Sequence, residues 1–523
     1  MSGFWSIRES VAAKSKDRND ANIDQIIVDV SHVDPSEVDA LLAKELKQLS
    51  FSERERAYDE IHGVHDGGKV VKGGKILLPS QEEATRIRQV LRQMQTELES
   101  IKKKSAYEEA VTMKSPLVAD IDFQTKFVYA ENFDAPKAAK RMIDYLELAK
   151  QLFGVQALHR SVQFADLSPN ALEILHQGSL QIPQLRDQSH RRIQVLLADC
   201  GMSHPLKDRL QVAFYMNSCL AEDQESIRLG FVFIMFLYHL SFGDIEHNRG
   251  ITNVLNSSPI RMSALHICSP GTPSSKAARA TALLMMGARN RLRVRLHVGS
   301  PTDCLHSLKT FGIPAECLPP IPEMGTTDTL RKHLKWCLMR QTKELLLKRA
   351  GNIPLAIVEC PRQEDCLFGK GQAITKHPGN VGMRRLVASK LDRYQVAAFK
   401  DKSLLAWEVV HEVKECGGRF LKEQFNGLFV EVNDETCRKK VSIAFRDLAK
   451  KTRQYNENSE EPQDARKHKL GFGVSEQDMD TAQDDDFQLF PQQKLECDTS
   501  SFLNLSGNSR KRHKGICLND FFG

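Results

Sequence analysis

One run of residues restricts the fold of this chain more than any other: Phe231-Val-Phe-Ile-Met-Phe-Leu, inside an apolar stretch from Leu229 to Phe242 that is bounded by Arg228 and Gly243-Asp244. A helix needs about 20 apolar residues to cross a bilayer core, so the stretch is too short for a membrane span, and no transmembrane segment is expected. A strand with apolar surroundings on both faces, as in a parallel sheet, accounts for it.

The flanking sequence supplies the rest of such a sheet. Asp134 is placed to cap a helix with Pro136 in its first turn, and Ala138, Met142, Tyr145 or Leu146, Ala149 and Phe153 follow at helical spacing as far as Gly154. After Leu180-Gln-Ile-Pro and a turn at Arg186-Asp-Gln-Ser, the patterns alternate. They predict strands at Arg192 to Ala198, from Leu229, at Met262 to Ile267 and at Leu292 to Val298. They predict helices at Leu206 to Leu220, from Glu246 and at Ser274 to Met286. Strands separated by helices imply an α/β fold with a mostly parallel sheet covered by helices.

The chain has 523 residues, enough for two or three folded units. Apolar residues at 41% and charged residues at 27% place it in the mixed globular class. The net charge of +6 is modest, but it is unevenly placed. Pro361 to Arg453 holds about 19 Lys/Arg against about 12 Asp/Glu. Twelve cysteines scattered singly from Cys200 to Cys517 suit reduced thiols in the cytosol or nucleus. The opening Met1-Ser-Gly-Phe-Trp-Ser-Ile-Arg-Glu reads as neither a secretory signal nor a myristoylation start.

Catalytic motifs are not readable. The Gly68 to Lys75 region suggests a phosphate loop, but Gly74 stands where Lys is required. Gly369-Lys-Gly lacks the last glycine of a dinucleotide fingerprint, because Ile374 occupies it. Asp120-Ile-Asp122 fits carboxylates at a helix start, and the 17 histidines show no metal-ligand spacing. The expectation is a binding protein rather than an enzyme, without cofactor or metal.

From about Ile121 to Gly325 the chain resembles the CRAL-TRIO family of lipid-binding and phosphatidylinositol-transfer proteins. The residues that carry this are Phe127-Val-Tyr-Ala-Glu-Asn-Phe-Asp-Ala-Pro-Lys-Ala with the Tyr145-Leu-Glu helix, Arg186-Asp-Gln-Ser-His-Arg-Arg-Ile, Pro259-Ile-Arg-Met-Ser-Ala-Leu-His-Ile-Cys-Ser-Pro, Arg293-Val-Arg-Leu-His-Val-Gly-Ser-Pro, and Leu318-Pro-Pro-Ile-Pro-Glu-Met-Gly. The chain departs at Thr326, where the family's terminal turn has a second glycine, and at Val294, where phosphatidylinositol binders have a lysine. The resemblance implies a lipid pocket, with a phosphoinositide or other phospholipid as ligand, closed by the 274–286 helix as a gate.

Phe231, Phe233 and Met235 share one strand face and are candidates for the pocket floor, the opposite set remaining open. Leu283, Leu284 and Met285 are the candidate cover, with adaptable Leu and Met side chains next to a Gly287 hinge. Arg291, Arg293 and Arg295, with Lys276, Arg279 and Arg289, form a candidate cationic rim for anionic headgroups at a membrane surface.

The block from about Ala356 to Arg453 reads as a small basic α+β domain, with an Asn426-Gly hairpin turn and a final helix from Asp434 to Lys450. Trp407, Leu404 and Val410 are its candidate core. Asp365-Cys-Leu-Phe-Gly-Lys-Gly, His377-Pro-Gly-Asn-Val and Gly417-Gly-Arg-Phe-Leu resemble an uncharacterised domain of microalgal proteins. Arg384, Arg385, Lys390, Arg393, Arg419, Lys422, Lys439 and Lys440 are candidate contacts to nucleic acid or another anion. Residues 1–115 read as a helical, partly disordered lead, 121–330 as the lipid-binding domain, 356–453 as the basic domain and 454–523 as a disordered tail with a basic Arg510-Lys-Arg-His-Lys cluster. The leading function is lipid binding, for transfer or lipid-dependent regulation, in the cytoplasm; the alternative is a nuclear nucleic-acid-binding regulator.

Overall fold

A computed structural model of the protein describes residues 35–63, 81–197, 203–238, 245–286, 288–315, 318–319, 327–351, 356–425 and 427–460. The glycine-lysine loop at 64–80, the 320–326 turn, Asn426 and the 510–514 basic cluster lie outside the described residues.

The lead segment contains α1 (Pro35–Gln48), α2 (Phe51–His62), α3 (Gln81–Ser100) and α4 (Ser105–Thr112). Next come α5 (Pro116–Ala119), α6 (Ile121–Ala130) and α7 (Ala135–Phe153). Both aspartate caps form. The Asp134 carboxylate accepts from the Lys137 N–H at 3.1 Å, and that of Asp120 accepts from the Asp122 N–H at 2.9 Å. Such a cap satisfies a helix-end donor that has no partner within the helix.

The sheet region then runs α8 (Pro169–Gln177), β1 (Leu180–Gln181), β2 (Ile193–Leu196), α9 (Leu206–Leu220), α10 (Gln224–Leu229), β3 (Phe231–Phe236) and α11 (Ile245–Ser257). It continues with β4 (Met262–Ser269), α12 (Pro273–Met285), α13 (Ala288–Arg291), β5 (Val294–Val298) and α14 (Pro301–Lys309). The strand expected from Leu229 begins two residues later, because α10 ends at Gly230 in a positive-φ conformation (φ 79°). A Cβ at Gly230 would stand 2.6 Å from the Arg261 carbonyl oxygen, so no other residue fits there.

The five strands lie in the order β1-β2-β3-β4-β5. β1 is antiparallel to β2, and every later pair is parallel, with Phe233 opposite Leu265 and His266 opposite Arg295. Alternation divides β3 and β4 between two cores. Phe231, Phe233, Leu265 and Ile267 face the core built with α7, α9, α11 and α12; Val232, Ile234, Phe236, Ala264 and Cys268 face the core built with α14. Burial on both faces explains why β3 has no polar position.

α15 (Thr327–Ala350) leads to a second sheet, of β6 (Ile357–Val358), β7 (Cys366–Phe368), β8 (Phe420–Phe425) and β9 (Leu428–Glu431), in the order β6-β9-β8-β7. β7 and β8 are parallel and the other pairs antiparallel. Its helices are α16 (Gln372–Lys376), α17 (Pro378–Ser389), α18 (Leu391–Val396), α19 (Phe399–Glu415) and α20 (Asp434–Glu460). α20 therefore continues ten residues past the expected end at Lys450. Val410 is buried and Trp407 packs against the core, but Leu404 is 60% exposed.

The described residues up to Arg453 group into one compact unit, which ends where the sequence sets off the 454–523 segment. α3 packs on α7, α1 on α12, and α2 on β4. α1 thus braces the helix over the cavity side of the first sheet, and α2 braces the sheet itself at β4.

Candidate ligand site between the parallel sheet and its helices

On the α9–α11–α12 side of the first sheet lies an apolar cavity of about 100 Å³. Phe233, Met235 and Leu265 form its floor, Val254 and Leu255 of α11 one wall, and Ala282 of α12 with Met286 the roof. Ala282 and Met286, four residues apart, fall on one face at the end of α12, which is why they share the roof. One end is polar. There Gln194 and Asn217 are buried, with Gln194 Nε2 donating to Asn217 Oδ1 at 3.4 Å and Asn217 Nδ2 to Ser258 Oγ at 3.0 Å. The arrangement suits a hydrocarbon group with a hydrogen-bonding end.

Of the candidate floor residues, Phe233 and Met235 reach the cavity, whereas Phe231 shares their core without lining it. Leu283 is buried in that core and Leu284 packs against it; the Met285 side chain lies outside the described set. The α9 and α11 walls and the Gln194–Asn217 pair were not singled out by sequence. The signal for them is weak, since α9 is buried on nearly all sides and shows little polar alternation.

The cationic rim takes a different form from the one expected. Arg291 turns back on α12, its Nη1 donating to the carbonyls of Leu283 and Leu284 at 3.0 Å each and to that of Met286. Its Nε and Nη2 donate to the Glu45 carboxylate of α1 at 3.1 and 2.7 Å. Arg293 donates to Glu60 of α2 at 2.7 Å. Both arginines are thereby neutralised inside the fold, because a guanidinium taken out of water requires a paired carboxylate. Arg295 lies on the opposite sheet face from the cavity, half-buried near Tyr58, and its Nη1 donates to its own neighbour's carbonyl at 2.9 Å. The middle of α12 is also held: Arg279 donates to Ser269 Oγ at 2.6 Å and to the Pro270 carbonyl at 3.1 Å.

On that opposite face Ser307, His297 and His266 form a chain, Ser307 Oγ to His297 Nδ1 at 2.8 Å and His297 Nε2 to His266 Nδ1 at 3.0 Å. A serine bonded to an imidazole has the outline of a nucleophile and its base. In a working triad the third group is a carboxylate that stabilises the imidazolium. Here it is another histidine, and burial, the His297 ring and the Arg191 and Arg295 guanidinium groups hold His266 well below the usual imidazole range. Such surroundings oppose a charged His297, and the chain reads as a neutral structural relay. Among the described residues no group of three or more His, Cys, Asp or Glu could hold a metal ion, and no helix is long and apolar enough to cross a membrane.

Several of the basic residues of the second sheet region are engaged within the fold. Lys390 pairs with Glu408 and Glu412 at 3.3 and 2.7 Å, Arg393 with Glu408 at 3.0 Å, and Arg419 with Asp365 at 2.8 Å. Lys440 lies 4.6 Å over the Phe368 ring, and burial pulls its pKa down. Arg384, Arg385 and Lys439 are exposed, Arg384 donating to the Thr375 carbonyl at 2.7 Å, and Lys422 is half-buried on β8.

Fold and site together define an α/β protein with two mixed sheets, the first carrying an apolar cavity beneath its helices. Residues 365–447, within the second sheet region, match a family model described as a domain of unknown function, DUF6824. No curated protein matches the chain at a significant level.

Proposed function

We propose that the protein binds a lipid through its hydrocarbon chain in the cavity beneath α12, for transfer or for lipid-dependent regulation, and that α12 is the moving cover. The observation that carries this reading is the cavity itself: an apolar hollow of about 100 Å³ on the face of a mostly parallel sheet. The resemblance to CRAL-TRIO domains adds the gate role of α12.

The volume bears on how a chain would enter. An apolar cavity of about 150 Å³ admits benzene, and sites for drug-sized ligands hold about 300–1,000 Å³. A hollow of about 100 Å³ takes only a few methylene groups, so a full chain enters only when α12 moves. Each methylene buried then contributes about 0.8 kcal/mol towards opening. Leu296 and Val298, 43% and 55% exposed on the β5 edge, offer apolar surface to a membrane close by. The nucleic-acid reading has less support, since Lys390, Arg393 and Arg419 are already paired with carboxylates.

Native mass spectrometry of the full chain and uptake of a labelled acyl chain from vesicles test the proposal. Loading is expected in the wild type and is expected to disappear in Ala282→Trp, which fills the roof. An empty protein that takes up nothing from vesicles rules the proposal out.

A further inference from the structure

A second cavity, of about 220 Å³, lies where α10 and the end of α9 meet α15 and β6. Its lining is charged. Arg186 holds the Asp223 carboxylate through two contacts of 3.0 and 2.5 Å, and Lys343 holds Glu222 and Glu359 at 2.7 Å each. Arg340, 1% exposed, lies behind them on Glu222 at 2.8 Å, on Glu344 at 3.2 Å and on Glu359. Arg419 is taken up by Asp365.

Arg192 is the exception. Its side chain is 2% exposed and lines the cavity, and its ion-pair contact is with Glu359 at 3.9 Å, beyond hydrogen-bond reach. Its Nε is buried without a hydrogen-bond partner among the described residues. The Arg192 carbonyl accepts from the Val232 N–H at 3.0 Å at the head of β2, so the backbone is anchored and the guanidinium is committed to this space.

A buried guanidinium with open donors is rare in a folded protein and calls for a partner. Planar guanidinium groups fit carboxylate or phosphate oxygens two at a time. At about 30 Å³ per water the cavity has room for about seven waters, too small for a nucleotide and sufficient for a small oxyanion. Exposed Glu222 and Gln224 and half-buried Ile357 and Val358 stand at its border, which gives a route in.

We infer that this junction cavity is a binding site for a small oxyanion, a carboxylate or inorganic phosphate, received on the Arg192 guanidinium. The site draws residues from both sheet regions, so its occupant adds contacts that only the assembled fold possesses. Binding therefore raises the unfolding temperature with ligand concentration.

Calorimetric titration of the full-length protein with inorganic phosphate and, separately, with malonate tests this, with thermal unfolding alongside. Saturable binding of either is expected, phosphate alone or malonate alone identifying the natural class. Arg192→Gln should weaken it about tenfold or more, as loss of a charge-assisted pair does. Arg192→Lys, which keeps the charge without the fork, should recover part of it. Should Arg192→Gln fail to fold, Gln224→Trp at the exposed border should block entry in a stable protein. No saturable binding of either probe at about 10 mM, where even millimolar affinity registers, overturns the inference, and so does binding that Arg192→Gln or Gln224→Trp leaves unchanged. Crystals soaked in both probes that show only water in the cavity would do the same.

Discussion

Glu45→Gln should loosen the cover over the apolar cavity without altering the cavity wall. Glu45 meets Arg291 through two contacts, and both side chains are about one-tenth exposed, so solvent screens the pair weakly. A hydrogen bond to a charged group contributes about 1.5–3 kcal/mol. The amide keeps one acceptor, so the loss should fall near the lower end, about 1.5 kcal/mol. If α12 must break this pair in order to move, the open population rises about tenfold, since about 1.4 kcal/mol is a factor of ten. Apparent affinity rises in the same proportion, because it scales with the fraction competent to bind. Arg291 keeps its bonds to the Leu283 and Leu284 carbonyls, so the end of α12 stays capped. Hydrogen exchange across Pro273–Met285 and the rate of acyl-chain uptake are the readouts, with thermal unfolding to exclude a global loss. Exchange and uptake equal to wild type in a folded Glu45→Gln protein would refute a latch at this position.

Three further outcomes follow from buried groups. Arg141→Met removes donors from the Ser258, Leu255 and Ile260 carbonyls and from Glu131, at 2.7 to 2.9 Å, and should cost about 3–5 kcal/mol in denaturant unfolding; a loss under about 1 kcal/mol would contradict the anchoring role. His333 is buried and neutral, its pKa pushed by burial from 6.5 to about 4. Its contribution to stability is complete above pH 6.5 and is lost as pH falls through about 4, because the unfolded chain takes the proton first. At about 1.4 kcal/mol per pH unit the loss reaches about 3 kcal/mol, and His333→Gln should flatten that part of the stability profile; identical slopes would refute the assignment. Gly379→Ala places a Cβ 2.2 Å from the Asp365 carbonyl oxygen, so the second sheet region should lose stability by several degrees of unfolding temperature; an unchanged transition would show that the close approach relaxes freely.

Local chemistry was legible in the sequence. Asp134 and Asp120 cap the helices they precede, and the run from Phe231 is buried on both faces. In each case neighbours within a few residues decide the outcome. Gly379 differs, since the backbone that excludes a side chain there belongs to Asp365, well outside the local His377-Pro-Gly-Asn sequence. The charges were not legible, because their partners are remote in the chain. Arg291 finds Glu45 and Arg293 finds Glu60 more than two hundred residues upstream, on helices whose own sequence shows only ordinary polar faces. A basic residue in a string therefore indicates charge but not availability. Leu404 shows the converse, lying exposed on α19 although its neighbours Leu405 and Ala406 are buried.

β6 has a practical bearing on how the chain can be cut. The matched family segment begins at residue 365, after Ile357 and Val358, yet those two residues hydrogen-bond to β9. A fragment starting there would uncover the outer margin of β9, an invitation to self-pairing. A fragment starting at Ala356 keeps that strand but leaves Glu359 without Arg340 and Lys343. Excised pieces of this protein should therefore be sticky or less stable in ways the intact chain is not, and the poor behaviour of such a piece would say little about the native molecule.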